Sequence, residues 1–121
     1  MTRTVSEAEF DCAIRAMLAD LEGIGSVTGP GRSGALAAVY ASHILGVAFI
    51  PYGTMGEAVP VHLGRLLIID TASQSGATLR RAARRYMDFS PLVTAVYHEP
   101  PRVAFWYESP KSRYFKREIA A

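Results

Sequence analysis

Apolar residues recur at helical spacing in three segments of the chain. In the first segment, Ser6 and Glu9 form an S-x-x-E capping box ahead of apolar positions three or four residues apart, which predicts a helix over about residues 7–22. The same periodicity predicts two more helices, at about residues 34–45 and 76–87. Each of these helices has one apolar face available for packing.

Five short apolar runs between and after these helices lack a helical period. In chain order they read IGSVTG, VAFIP, LLIID, LVTAVY and RVAFWYE. Strands that are apolar at consecutive positions and alternate with helices are typical of parallel sheets covered on both faces. We therefore predict an α/β fold, a doubly wound and mainly parallel sheet of about five strands with helices on both faces. Such sheets bind ligands at the carboxyl ends of their strands.

Length and composition indicate an ordinary globular protein. With 121 residues, half of them hydrophobic, we expect a single domain, 1–121, in which residues 108–121 form a polar tail. A formal net charge of only +2 does not indicate nucleic-acid binding. Cys12 is the one cysteine and the N-terminus lacks the apolar core of a signal peptide, so we expect a cytoplasmic protein. Polar residues interrupt the apolar stretch 35–51, which argues against a membrane span.

The loop TGPGRSG contains a G-x-G-x-x-G pattern, formed by Gly29, Gly31 and Gly34. A dinucleotide site would also need an acidic residue at the end of the next strand, but that strand ends FIPYG. Arg32 adds a fixed cation inside the loop, which suits a free pyrophosphate better than a dinucleotide. A tight turn without any ligand is the simpler alternative.

A second loop, TASQSGATL, follows the strand that ends in Asp70. The amides of residues 74–78 would converge at the start of a helix, beside the hydroxyls of Ser75 and Thr78, which is suitable chemistry for a phosphomonoester. Asp70 could bind ribose hydroxyls or a hydrated Mg²⁺ ion. Its structural alternative is a role as a helix-capping acid.

Together the two loops resemble those of the type I phosphoribosyltransferases, most closely the small purine-type (xanthine/guanine-like) members. The motifs that carry the resemblance are LLIIDTASQSGATL and GRSGALAAVYASHILGVAFIP, within about residues 24–108. The resemblance implies a phosphoribosyltransferase fold with a minimal hood. It also implies transfer of ribose 5-phosphate from phosphoribosyl pyrophosphate to a nucleobase, with release of pyrophosphate, Mg²⁺ as cofactor and a homodimer.

The resemblance also assigns roles to individual positions. Asp70 and Arg32 would be the catalytic residues, one binding the ribose hydroxyls and the other the leaving pyrophosphate. Mg²⁺ would bind through the substrate, with Asp70 as the one candidate protein contact and no direct metal site. The 5′-phosphate would be held by Gln74, Ser75, Gly76, Ala77 and Thr78. The pyrophosphate would be held by Arg32, Ser33 and Gly34.

The remaining assignments concern the nucleobase. His98 stands near the base-recognising lysine of the family, and Trp106 lies where an aromatic wall for the base could form, although a core role is the simpler interpretation of a tryptophan in VAFWYE. The segment 52–65 falls where the family has its mobile lid. The base itself is left open.

Two departures from the family pattern support a second hypothesis. Thr71 stands where the family has its second acid, and Gln74 where an acid often precedes the phosphate loop, so the motif keeps one carboxylate. Ser33 replaces the usual glycine, which leaves open whether the Arg32–Ser33 peptide is cis. The missing second acid, with the basic segments RRAARR and KSRYFKR, is also consistent with a non-catalytic domain that senses nucleotides or regulates.

Overall fold

Six strands and three α-helices alternate along the residues that this computed structural model describes, 3–73, 75–98 and 103–108. In chain order they are β1 (Arg3–Val5), α1 (Glu7–Leu18), β2 (Ile24–Thr28), α2 (Gly31–Leu45), β3 (Ala48–Phe49), β4 (Arg65–Ala72), α3 (Ala77–Arg85), β5 (Leu92–Tyr97) and β6 (Val103–Phe105). Short 3₁₀ turns lie at Gly56–Ala58, Val61–Leu63 and Met87–Phe89.

Local sequence explains where the first two helices begin. The Oγ of Ser6 accepts a hydrogen bond from the N–H of Glu9 at 3.1 Å, which confirms the predicted cap of α1. This helix ends at Leu18, short of its predicted end. α2 begins at Gly31, ahead of its predicted start, because Pro30 has the extended conformation of an N-cap residue.

The main sheet contains four parallel strands in the order β3, β2, β4, β5. Its strand β4 is buried on both faces, because alternate side chains point to opposite sides. Leu67 and Ile69 pack in a core with residues of α1 and α2. Leu66 and Ile68 pack in a second core with residues of α3. The prediction of a parallel, doubly wound sheet with helices on both faces is confirmed.

The last predicted strand does not join this sheet. β6 pairs in parallel with β1, with Val5 opposite Phe105, and makes a separate two-stranded ladder. No strand was predicted at the N-terminus, because three residues are too few to show an alternating pattern. The predicted sheet of about five strands is thus corrected, for the described residues, to a sheet of four and a ladder of two. Residues 109–121 of the predicted tail lie outside the described residues.

The helices that follow the neighbouring strands β2 and β4 pack on opposite faces of the sheet. α2 contributes Ala37, Ala38 and Ala41 to one core, whereas α3 contributes Leu79 and Ala82 to the other. The two loops therefore diverge at the carboxyl ends of the strands and leave a crevice there. Among the described residues, no helix combines the length and the apolar character that crossing a membrane requires.

Candidate functional site

A cavity of about 340 Å³ opens at the carboxyl end of β4, in the crevice that the topology predicts. Its floor is the end of β4, one wall is the loop that leads into α3, and the opposite wall comes from β6 and the start of α2. The residues that line it are Ser33, Asp70, Thr71, Ala72, Ser73, Ser75, Gly76, Ala77, Thr78, Leu79, Val103, Phe105 and Glu108. Most of the predicted phosphate-loop residues thus lie together.

The loop before α3 has the geometry of an anion cradle. Gly76 adopts a left-handed conformation with φ +79°, and the Oγ of Ser75 accepts a hydrogen bond from the N–H of Ala77 at 3.2 Å. Among the described residues, no acceptor is present for the N–H groups of Thr78 and Leu79, two donors of the first helical turn. These donors and the positive end of the helix dipole favour a phosphate here. Gln74, also assigned to this loop, lies outside the described residues.

Asp70 lies at the floor of the cavity and is 9% exposed. Its Oδ1 accepts a hydrogen bond from the N–H of Thr71 at 2.7 Å. Burial raises the pKa of the Asp70 carboxyl above its ordinary value, and the hydrogen bonds with Thr71 offset only part of that increase. A desolvated carboxylate that faces a cavity gains stability when a cation or hydroxyl donors bind it. A simple capping role does not fit, because Asp70 lies inside β4 and makes no hydrogen bond to the start of α3.

The Gly-rich loop before α2 is packed much more tightly. A Cβ added to Gly29 would clash with the carbonyl of Gly34 and lie 2.5 Å from the carbonyl oxygen of Ile69. At Gly34 it would lie 2.6 Å from the carbonyl carbon of Gly29. Two of the three pattern glycines therefore bring the backbones of α2 and the sheet together. Gly34 is not among the residues that line the cavity, and its contact with pyrophosphate stays a prediction.

Only Ser33 of the predicted pyrophosphate residues lines the cavity. Its Oγ accepts a hydrogen bond from the Oη of Tyr107 at 2.9 Å, which joins the start of α2 to the segment after β6. Arg32 is exposed in the first turn of α2 and is not among the residues that line the cavity. The structure thus brings Ser33 and Asp70 to one cavity and places Arg32 outside it.

The two predicted base-binding residues also lie outside the cavity. His98 is exposed at the end of β5. The ring of Trp106 packs against that of Phe10 of α1 with centroids 5.6 Å apart, and the backbone N–H of Trp106 donates to the carbonyl oxygen of Val5 at 3.0 Å. Both observations agree with the simpler interpretation of Trp106 as a packing residue.

The predicted lid segment, residues 52–65, is anchored at its start. The buried Oη of Tyr86 accepts a hydrogen bond from the N–H of Gly53 at 2.7 Å, and the ring of Tyr52 lies 5.6 Å from that of Tyr86. The guanidinium of Arg85 lies over the ring of Tyr52 at 5.4 Å. No described residue of this segment lines the cavity.

Sequence reasoning missed Glu108, whose predicted place was the polar tail. It follows Tyr107 and lines the cavity opposite Asp70's loop, so two carboxylates border the same space. Local sequence does not indicate the position of Glu108, because the segment after β6 is placed by the pairing of β6 with β1, which is distant in the chain. Among the described residues, no group of three or more His, Cys, Asp or Glu could hold a metal ion by itself.

No protein-family model and no curated protein matches the sequence. Solved structures do match its fold. A purine phosphoribosyltransferase from Pyrococcus horikoshii Ot3 has a TM-score of 0.65 at 20% identity, over 90% of this chain and 95% of that one. A xanthine-guanine-hypoxanthine phosphoribosyltransferase from Helicobacter pylori has a TM-score of 0.69 at 12% identity, over 97% and 98%.

A third solved structure has the same fold and a different description. It is a hypothetical protein from Neisseria gonorrhoeae with bound ppGpp, with a TM-score of 0.66 at 11% identity, over 100% of this chain and 99% of that one. At such identities the similarity concerns the fold. The predicted phosphoribosyltransferase-like fold is confirmed.

Proposed function

We propose that the chain is a phosphoribosyltransferase, which moves ribose 5-phosphate from phosphoribosyl pyrophosphate to a nucleobase and releases pyrophosphate. The observation that supports this most is the junction of β4 and α3, where a buried carboxylate and an open helix N-terminus line one cavity. A phosphorylated sugar needs both features, because its phosphate requires hydrogen-bond donors and its hydroxyls require an acceptor.

In this proposal the 5′-phosphate lies on the amides of Thr78 and Leu79, which have no acceptor among the described residues. Asp70 accepts hydrogen bonds from the ribose hydroxyls and fixes the sugar next to Ser33. Arg32 of the exposed first turn stabilises the leaving pyrophosphate. The bond between C1′ and the pyrophosphate oxygen breaks with its electron pair on the leaving group, a nitrogen of the base bonds to C1′, and the proton of that nitrogen passes to solvent.

Mg²⁺ fits the charge pattern of the cavity. The described lining residues include two carboxylates, Asp70 and Glu108, and no Lys, Arg or His. Oxygen atoms from carboxylates and substrate phosphates are the ligands that Mg²⁺ prefers, so Asp70 could hold the ion together with the substrate. When bound, Mg²⁺ would neutralise charge that develops on the pyrophosphate.

Pyrophosphate release tests the proposal directly. Purified protein is mixed with phosphoribosyl pyrophosphate, Mg²⁺ and each of guanine, xanthine, hypoxanthine, adenine and uracil, and pyrophosphate is followed over time. The proposal expects release that depends on at least one base and that chelation of Mg²⁺ abolishes. If no base produces more release than a reaction without base, the chain is not such an enzyme.

The second candidate is a non-catalytic domain that binds nucleotides for sensing or regulation. It is favoured by the position of Arg32 outside the cavity, by the buried Thr71 in place of a second acid, and by the fold neighbour with bound ppGpp. Calorimetric titration with ppGpp, GMP and phosphoribosyl pyrophosphate distinguishes the two. Tight binding of a nucleotide without turnover for any base supports the sensing role.

A further inference from the structure

Arg80 of α3 turns back toward the start of its own helix. Its Nη1 donates a hydrogen bond to the carbonyl oxygen of Ser75 at 2.9 Å. The guanidinium also lies against Gly76, since a Cβ added there would be 2.7 Å from Nη1 and 3.7 Å from Cζ. Arg80 therefore contacts two consecutive residues of the turn that presents the amides of α3 to the cavity.

The charge around this turn is the opposite of what a helix start normally has. The N-terminal end of a helix carries partial positive charge and favours acidic residues, but the first turn of α3 contains none. Arg80 adds a full positive charge at that end. The exposed arginines of α3 form no ion pair with any described residue; they are Arg80, Arg81, Arg84 and Arg85. An anion bound at the turn would relieve this repulsion.

We propose that Arg80 is a positioning residue for the 5′-phosphate of a phosphoribosyl ligand. Arg80 does not line the cavity, so it acts through the turn: it holds the Ser75 carbonyl and the turn at Gly76 so that the amides beyond them face the ligand, and its charge favours a dianion there. The inference rests on the proposed function, because that function assigns the phosphate to this turn.

Ligand affinity tests the inference with a matched control. Arg81 is the next residue of α3, is also exposed and has the same charge, but no hydrogen bond to the turn is described for it. By isothermal titration with ribose 5-phosphate, Arg80→Ala should raise the Kd about tenfold, because the turn loses the hydrogen bond that orients it and the ligand loses a nearby positive charge. Arg81→Ala should change it by less than about twofold, as expected for an exposed charge. Equal effects of the two substitutions overturn the inference.

Enzyme kinetics separate positioning from a general loss of structure. If the protein turns over, Arg80→Ala should raise KM for phosphoribosyl pyrophosphate and leave KM for the base unchanged. A rise in both KM values would contradict a role confined to the phosphate.

A double-mutant cycle in thermal unfolding tests the contact without any ligand. Gly76→Ala introduces a Cβ that contacts the guanidinium, so part of its destabilisation should disappear in the Arg80→Ala background. Additive effects show that Arg80 does not hold the turn and overturn the inference. Failure of wild-type protein to bind ribose 5-phosphate or phosphoribosyl pyrophosphate overturns the proposed function and the ligand part of this inference together. The double-mutant cycle still tests whether Arg80 contacts the turn at Gly76.

Discussion

The two strand-to-helix junctions of the sheet differ in sequence and in structure. The junction of β2 and α2 is closed, because Gly29 and Gly34 touch through their backbones and leave no room for a side chain. The junction of β4 and α3 is open, because its turn at Gly76 borders a cavity and leaves helix donors without described acceptors. Glycine serves close packing in the first junction and a left-handed turn beside a cavity in the second.

This difference shows that a glycine pattern alone does not identify a ligand site. The G-x-G-x-x-G pattern, with Gly29 and Gly34 at its ends, is the more recognisable motif, but it contributes only Ser33 to the cavity. The less regular loop after Asp70 contributes most of the lining. Side chains that converge on one space, and donors that lack acceptors, distinguish a binding junction from a packing junction.

The largest effect should follow from breaking the closed junction. Gly29→Ala places a Cβ against the carbonyl groups of Gly34 and Ile69, so it should lower the free energy of unfolding by about 3 kcal/mol. Gly31→Ala is the control: its Cβ would meet nothing within 4 Å, and its φ of +66° should cost only about 1 kcal/mol. Urea denaturation measures both. Similar losses for the two variants would mean that packing does not explain Gly29.

The next effect concerns the open junction and its carboxylate. Asp70→Asn keeps the shape of the side chain but removes the charge-assisted hydrogen bonds to ribose, so turnover or affinity for phosphoribosyl pyrophosphate should fall about 10- to 100-fold. The matched control is Asp88→Asn, which changes an exposed acid in the 3₁₀ turn at Met87–Phe89 and should leave activity unchanged. Wild-type rates in Asp70→Asn would remove Asp70 from the proposed site.

Asp70 should also make stability depend on pH. Burial raises the pKa of Asp70 in the folded state, so the folded protein binds more protons than the unfolded chain between the ordinary pKa of 3.8 and the raised value. Its contribution to stability is therefore complete below pH 3.8 and is lost as pH rises through the folded pKa.

Thermal unfolding from pH 4 to pH 8 checks the direction of this dependence of stability on pH. Asp70→Asn removes the penalty for a buried charge, so the variant should have a higher Tm than the wild type at neutral pH, and the difference should shrink as the pH falls. A variant that is less stable than the wild type at pH 7 would show that hydrogen bonding of the carboxylate outweighs its desolvation.

The smallest effect should come from the contact that joins the start of α2 to the segment after β6. Tyr107→Phe removes the hydrogen bond from Oη to the Oγ of Ser33 and should lower stability by about 1 kcal/mol. Ser33→Ala removes the same bond, so the double variant should be little worse than either single variant. Chemical denaturation of the three variants gives the coupling free energy between Tyr107 and Ser33. Additive losses would show that the two hydroxyls do not interact in solution.

Much of the fold could be predicted from local sequence. Ser6 and Glu9 mark the start of α1, and the run that ends in Asp70 predicts a strand buried on both faces. These features depend on residues within one or two turns of each other, so periodicity and capping rules detect them. The ladder of β1 and β6 could not be predicted in this way, because each strand has three residues and its partner lies at the other end of the chain.

The candidate site also contains residues that local sequence predicts and residues that it does not. Asp70, Ser75 and Thr78 were expected to lie together because one loop carries them, and the structure brings them to one cavity. The contact of Arg80 with the turn and the position of Glu108 at the cavity could not be predicted, since neither residue has a distinctive local pattern.

The sequence by itself determined the order of the three helices and the five predicted strands, the parallel sheet and the loop suited to phosphate. These follow from steric and hydrogen-bonding preferences that act within short segments. Only the tertiary structure decided which strand-to-helix junction closes and which stays open. Contact between Gly29 and Gly34 depends on how α2 packs on the sheet, and the wall that holds Glu108 depends on β6 reaching β1. Both are contacts between surfaces, and the residues of one segment do not specify them.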